Sequence, residues 1–314
     1  VHMLDGLDGK LDRMYYAVGA FDTSSIIDPV SDTMISVGTN GMLYLTKLNC
    51  EFDYNGGTIK VDPSSVVMRS LARDQDKKRV GVESSHAMYA NYVYYADLDG
   101  ILRCVDTNSL TPVWAVDTGD TVEAAIALDF DAQDQLWLYT ANTLQTRSKG
   151  NCQIRRFDAA TGEESWVLEI GVSKKNKNER IGGAMASPVV GQNELGDLVY
   201  FTVSCLTKDG PRAIFADAED AAAAVIVAVN KQSGEIVWAR ELDSYAYSSP
   251  VAVYNEAGKG WIIQASGNGM LYLMDGLTGN VVSPLQVEGP IEASPAVYRN
   301  TLVIGTTGRK SSFI

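Results

Sequence analysis

The chain repeats itself, and that repetition restricts its fold more than any other property. Residues 35–48, 94–106 and 264–283 each hold a short apolar strand, a tight turn ending at Gly41, Gly100 or Gly269, and a second alternating strand. Glycine supplies the positive φ of a hairpin turn, and the flanking residues alternate with period two. A second motif follows downstream. Thr161-Gly162 leads to Trp166 and Ser233-Gly234 to Trp238, with the Trp four residues past the glycine in both. Ser109-Leu110 leads to Trp114 in a looser copy. Thr278-Gly279 keeps the turn but places Ser283 in the Trp slot, and the N-terminal Asp8-Gly9 places Arg13 there. A third anchor precedes each unit: Ser187-Pro188, Ser249-Pro250 and Ser294-Pro295. Ser25-Ile26, Ser85-His86 and Ala125-Ile126 fill the same slot with drift.

These anchors mark about six copies at roughly 40 to 60 residues, the spacing of propeller blades. Short strands at regular intervals without a helical period predict an all-β fold, a β-propeller of four-stranded blades. Sandwiches and jelly rolls do not repeat their sequence in this way. Three insertions interrupt the period and are expected as rim loops: residues 49–82, with the charged run Arg73 to Arg79, residues 172–180, and residues 206–222. The last repeat lacks its outer strand and turn, while Met3 to Tyr16 resembles the missing piece. Residues 1–314 are therefore read as one propeller domain whose N-terminal strand completes the last blade, or as a piece of a longer chain.

Composition narrows the partners. With 26 Lys+Arg against 39 Asp+Glu the net charge is −13, which disfavours nucleic acid and anionic membrane surfaces. The longest apolar run, Ala221 to Val229, is too short to span a bilayer. Val1-His2-Met3 opens without a secretory apolar core, so either the protein is intracellular or a leader has been removed. The four cysteines, Cys50, Cys104, Cys152 and Cys205, form no CxxC and read as separate buried thiols, with a distant disulfide left open. Two histidines do not assemble a Ser–His–Asp site, and no phosphate-cradling Gly-Lys-Ser/Thr motif occurs.

The order Ser-Pro-Val, then a Gly-x-Leu-Tyr hairpin, then Thr-Gly-x-x-x-Trp, resembles the pyrroloquinoline-quinone (PQQ) repeat family. Its members include quinoprotein alcohol dehydrogenases and the outer-membrane assembly lipoprotein of Gram-negative bacteria. The resemblance covers the chain apart from the insertions, with the best matches at Ser249 to Ser283 and Ala228 to Trp238. It implies a ring of about six to eight blades. It also implies that Trp114, Trp166 and Trp238 dock each blade onto its neighbour. The dehydrogenases carry an adjacent Cys-Cys pair over the quinone, and this chain has none. Their calcium ligands and catalytic Asp cannot be placed here residue by residue. PQQ is therefore not expected, since a fold does not carry a function with it.

In a propeller the innermost strands face the axis. The residue two before each anchor occupies the same place in every blade, giving Thr23, Glu83, Glu123, Met185, Tyr247 and Glu292. Glu292, Glu83 and Glu123 fall on one side of the ring in this reading. Carboxylates gathered there would favour Ca²⁺, Mg²⁺ or a basic peptide group; solvation at the rim is the alternative. His86 replaces an anchor Pro and reads either as an axial polar group or as a core histidine. Asp129 to Asp134 has a loosely calcium-like spacing that a hairpin turn explains as well. Tyr245 and Tyr247 could stack on a sugar or peptide.

The expected function is a non-enzymatic binding or scaffolding propeller. It holds a protein, peptide or carbohydrate on its rim or channel, with Ca²⁺ as the cation it would suit. The expected location is extracellular, cell-surface or periplasmic. The alternative is a PQQ- or metal-dependent oxidoreductase.

Overall fold

The computed structural model describes residues 2–4, 11–14, 20–69, 81–146, 149–173, 181–207 and 223–307. The charged run at 73–79, most of the Lys- and Asn-rich insertion and the acidic, alanine-rich stretch lie outside the described residues. The chain divides into two compact units, Val1–Ala115 and Val116–Ile314.

The first unit begins with a two-stranded hairpin, β1 (His2–Leu4) and β2 (Leu11–Met14). Blade I follows: β3 (Ile26–Asp28), β4 (Thr33–Val37), β5 (Met42–Lys47), a separate hairpin of β6 (Glu51–Asp53) and β7 (Thr58–Lys60), then β8 (Ser64–Arg69). β8 pairs with β5 and closes the four-stranded sheet. This corrects the reading of residues 49–82 as a rim loop. The loop proper is the β6–β7 hairpin, turned at Asn55-Gly56-Gly57, and the β-branched run after it returns as the outer strand. Blade II is β9 (Ala87–Tyr89), β10 (Tyr92–Ala96), β11 (Ile101–Asp106) and β12 (Thr111–Asp117). Ile35, Val37, Leu43 and Leu45 of blade I pack with Val93, Tyr95 and Val105 of blade II.

The second unit repeats the same meander. Blade III is β13 (Ala127–Phe130), β14 (Leu136–Ala141), β15 (Lys149–Asp158) and β16 (Glu164–Ser173). Blade IV is β17 (Val189–Val190), a 3₁₀ turn at Asn193–Leu195, β18 (Leu198–Ser204), β19 (Ala224–Asn230) and β20 (Ile236–Leu242). Blade V is β21 (Val251–Tyr254), β22 (Gly260–Ala265), β23 (Met270–Asp275) and β24 (Val281–Gln286). A hairpin of β25 (Ala296–Tyr298) and β26 (Thr301–Val303) follows.

Blade IV shows why the strands read as apolar runs. Every residue of β18 is buried, and its faces alternate. Val199, Phe201 and Val203 enter one core with Cys152, Ile154, Ile170 and Val172 of blade III. Leu198 and Tyr200 enter another with Ile262 and Met274 of blade V. A strand covered on both faces has no polar side to show. Each such Val, Leu or Phe contributes roughly 1.5–3 kcal/mol of burial.

The Thr/Ser-Gly-x-x-x-Trp motif joins successive blades. Gly234 has φ +73°, and a Cβ there would lie 2.7 Å from the Trp166 ring. Gly279 has φ +70°, and its Cβ would lie 2.5 Å from the Trp238 ring. Each glycine is thus both the left-handed residue of its own turn and the floor for the preceding blade's indole. The indole N–H groups donate to Lys231 O and Gly276 O, both at 2.9 Å. Each Trp also stands beside a Tyr of its own blade: Tyr94–Trp114, Tyr139–Trp166 and Tyr200–Trp238, at 6.0, 6.3 and 5.8 Å.

All four cysteines are free. Cys104 and Cys152 are buried, Cys205 is half-buried, and Cys50 is exposed at the turn between β5 and β6. The reading of four buried thiols is corrected at Cys50, which belongs to the hairpin insertion and not to a blade. Among the described residues no helix is long and apolar enough to cross a membrane.

Candidate functional site

The anchor serines build a hydrogen-bond ladder between blades. Ala125 N donates to Ser187 Oγ at 3.2 Å, Ser187 N to Ser249 Oγ at 2.9 Å, and Ser249 N to Ser294 Oγ at 3.0 Å. In the first unit Ser24 N donates to Ser85 Oγ at 3.0 Å. Each hydroxyl satisfies a backbone N–H that no strand partner reaches, which fixes the residues around it. The following Pro188, Pro250 and Pro295 are buried and have no N–H to satisfy.

Two residues before each anchor, Thr23, Glu83, Glu123, Met185, Tyr247 and Glu292 are all half-buried. Thr23 and Glu83 belong to the first unit and the other four to the second. Thr23 Oγ1 donates to Val37 O at 2.8 Å. Glu123 accepts a 2.6 Å bond from the Gln145 side-chain amide. Glu292 accepts a 2.7 Å bond from the Tyr245 hydroxyl. The Tyr247 hydroxyl accepts from Ile181 N at 2.6 Å and lies 3.2 Å from Ile181 O, to which it donates. The Tyr245 and Tyr247 rings lie 5.0 Å apart, tilted by 59°. Tyr245 is laid against Gly267, where a Cβ would come within 2.2 Å of the ring. The second unit therefore brings Tyr245, Tyr247, Glu292 and the Ile181 backbone into one cluster. Gln145 and Ile181 lie outside the repeat anchors, and no local signal in the sequence marks them, whereas Gly267 sits within the 264–283 repeat hairpin.

His86 is buried, with Nε2 3.1 Å from Ile35 O. That bond places the proton on Nε2, while Nδ1 is buried without a partner among the described residues. Burial, only partly offset by the bond to Ile35, lowers its pKa to about 4, so the ring is neutral at pH 7. The Asp129 to Asp134 stretch is a hairpin turn. Asp131 caps Gln133 N and Gln135 N and accepts the Trp137 indole N–H at 2.8 Å. Asp129 is 2.6 Å from Lys231 Nζ. Among the described residues no group of three or more His, Cys, Asp or Glu side chains could hold a metal ion.

The residues present do not fit the quinone of the dehydrogenases. The pair that would cover it must be adjacent in sequence, whereas the cysteines here are 48 or more residues apart.

A family model described as outer membrane protein assembly factor BamB matches residues 222–313. No curated protein matches the chain. Quinohemoprotein alcohol dehydrogenase from Comamonas testosteroni is 16% identical with a TM-score of 0.59, over 87% of this chain and 44% of that one. The quinohemoprotein alcohol dehydrogenase ADHIIG from Pseudomonas putida HK5 is 18% identical with a TM-score of 0.57, over 87% and 43%. A europium-containing methanol dehydrogenase is 13% identical with a TM-score of 0.55, over 82% and 50%. The chain thus spans half or less of the length of these enzymes, and at these identities the likeness is one of fold. Sequence repeats, four-stranded antiparallel blades and fold likeness agree on a β-propeller fold, and residues 222–313 of the chain match a family model of this repeat type.

Proposed function

We propose that this protein is a non-enzymatic binding or scaffolding propeller, located at the cell surface, outside the cell or in the periplasm. It takes a protein, peptide or carbohydrate partner at the residues preceding the anchor serines. The observation that carries this reading is the Tyr245–Tyr247–Glu292 cluster. Two half-exposed rings present apolar faces, and their hydroxyls are held by Glu292 and Ile181. Rings fixed in this way bind with little loss of side-chain freedom, which suits recognition. The carboxylates of Glu123 and Glu292 accept hydrogen bonds from the neutral donors Gln145 and Tyr245. The location is supported by the description of the matching family as an outer membrane protein assembly factor.

The test is a paired peptide and glycan array. Wild type should retain at least one class of probe, and Tyr245→Ala/Tyr247→Ala should lose it at unchanged melting temperature. Equal retention by both proteins, or no retention by wild type, would overturn the reading.

A further inference from the structure

We propose that the second unit carries a separate subsite for a neutral saccharide, on the face of the long β15–β16 hairpin that carries Asn151, Gln153 and Arg155. The proposal deepens the binding reading by naming a ligand class, but it uses none of the tyrosines on which that reading rests.

The hairpin is unusual among the blades. Its strands run ten residues each, where β18, β19 and β20 run seven. β14 pairs with β15 only from Ile154 to Asp158, so Lys149 to Gln153 project past it. Asn142 folds back beneath this projection, its Oδ1 accepting Gln153 N at 2.6 Å. The result is a cavity of about 550 Å³, within the range of small-ligand sites.

Strand periodicity decides the lining. Cys152, Ile154 and Arg156 are buried on one face of β15, while Asn151, Gln153 and Arg155 alternate onto the other and line the cavity. Gln153 is held at both ends: Arg155 Nη2 donates to its Oε1 at 2.5 Å, and its Nε2 donates to Glu169 at 2.9 Å. Asp120 closes one side, and its carboxylate accepts Thr121 N, Thr146 Oγ1 and the backbone of Gln145. The Asn151 side-chain oxygen is buried with no partner among the described residues.

The balance of these groups selects the ligand. Carboxylates from Asp117, Asp120 and Glu169 oppose an anion, and Arg155 opposes a compact cation. Amides, carboxylates and a guanidinium side by side demand a ligand that donates and accepts at many points. Vicinal hydroxyls do both. With Leu144 as the apolar member of the wall and no aromatic ring among the described lining residues, binding should be weak unless several hydroxyls engage.

Saturation-transfer NMR with maltose, cellobiose and N,N′-diacetylchitobiose tests this. At least one should show transfer to its ring protons, reduced at least fivefold in both Asn151→Ala and Gln153→Ala, and unchanged in Ser283→Ala, an exposed position outside both sites. Both cavity variants are to be checked for wild-type melting temperature. If either is unfolded, Glu169→Gln, which keeps the acceptor oxygen facing Gln153 and changes the charge, takes its place with the same expectation. No transfer from any of the three, or transfer that survives the cavity variants, overturns the subsite. Transfer lost only in Tyr247→Ala also overturns it, while supporting carbohydrate binding at the tyrosines.

Discussion

Two seams of the second unit are built differently. Between blades III, IV and V an indole crosses each seam, with Trp166 on Gly234 and Trp238 on Gly279. Blade V offers an exposed Ser283 in the equivalent slot, and the hairpin after it shows Val297, Tyr298 and Val303 to solvent. The apolar core at that third seam is confined to Ile263, Ala265, Leu271, Val287, Ile291 and Ile304. The serine ladder nevertheless continues across it, from Ser249 N to Ser294 Oγ. Polar register is therefore kept at all three of these seams, whereas an indole docks only at the first two.

The largest effect is expected from removing a docking indole. Trp238→Ala should cost about 3–5 kcal/mol in urea unfolding, because it empties a buried site. Ser283→Ala, the same slot one blade later, should stay within about 0.5 kcal/mol. Equal losses would erase the contrast between the seams. Next comes the floor. Gly279→Ala should cost about 2–4 kcal/mol, since the new Cβ meets both a left-handed φ and the indole. A smaller loss of about 1–2 kcal/mol is expected for Ser249→Ala, which strands Ser187 N. If Ser249→Ala is silent, the ladder does not hold the blades.

The weakest effect concerns acid. Asp106 is held below its ordinary carboxyl value by Asn91 and by Asn108 N, Asp131 by the Trp137 indole and Gln135 N, and Asp53 by Asn55 N and Gly56 N. A carboxyl depressed in the folded state stabilises fully above its unfolded value of about 4 and loses that contribution as pH falls through the folded value. Melting temperature should therefore hold from pH 7 to about 5 and decline below about 4. A flat profile down to pH 2 would show that these turns do not depend on their charge. Part of the acidic balance is thus structural, because Asp is the acceptor on which these hairpins turn.

The fold class was legible because its signals are local. Period-two strands, turn glycines and Ser-Pro anchors each act within a few residues, and about six copies reinforce one another. Strand β8 was hidden because the β6–β7 hairpin separates it from its blade, and nothing within Ser64 to Arg69 says which sheet it joins. The exposed Cys50 was misread for the same reason. At the site, Tyr245, Tyr247 and the Glu residues could be aligned from the repeat. Their partners could not, because Gln145 and Ile181 arrive from neighbouring segments through tertiary contacts that carry no period.

That a quinoprotein-type fold here carries recognition without quinone chemistry is tested most directly by reconstitution. The purified protein is incubated with PQQ and Ca²⁺, gel-filtered, and assayed for retained cofactor absorbance and dye-linked alcohol oxidation. The expected result is neither retained absorbance nor alcohol-dependent dye reduction. Stoichiometric cofactor with alcohol-dependent turnover would contradict it.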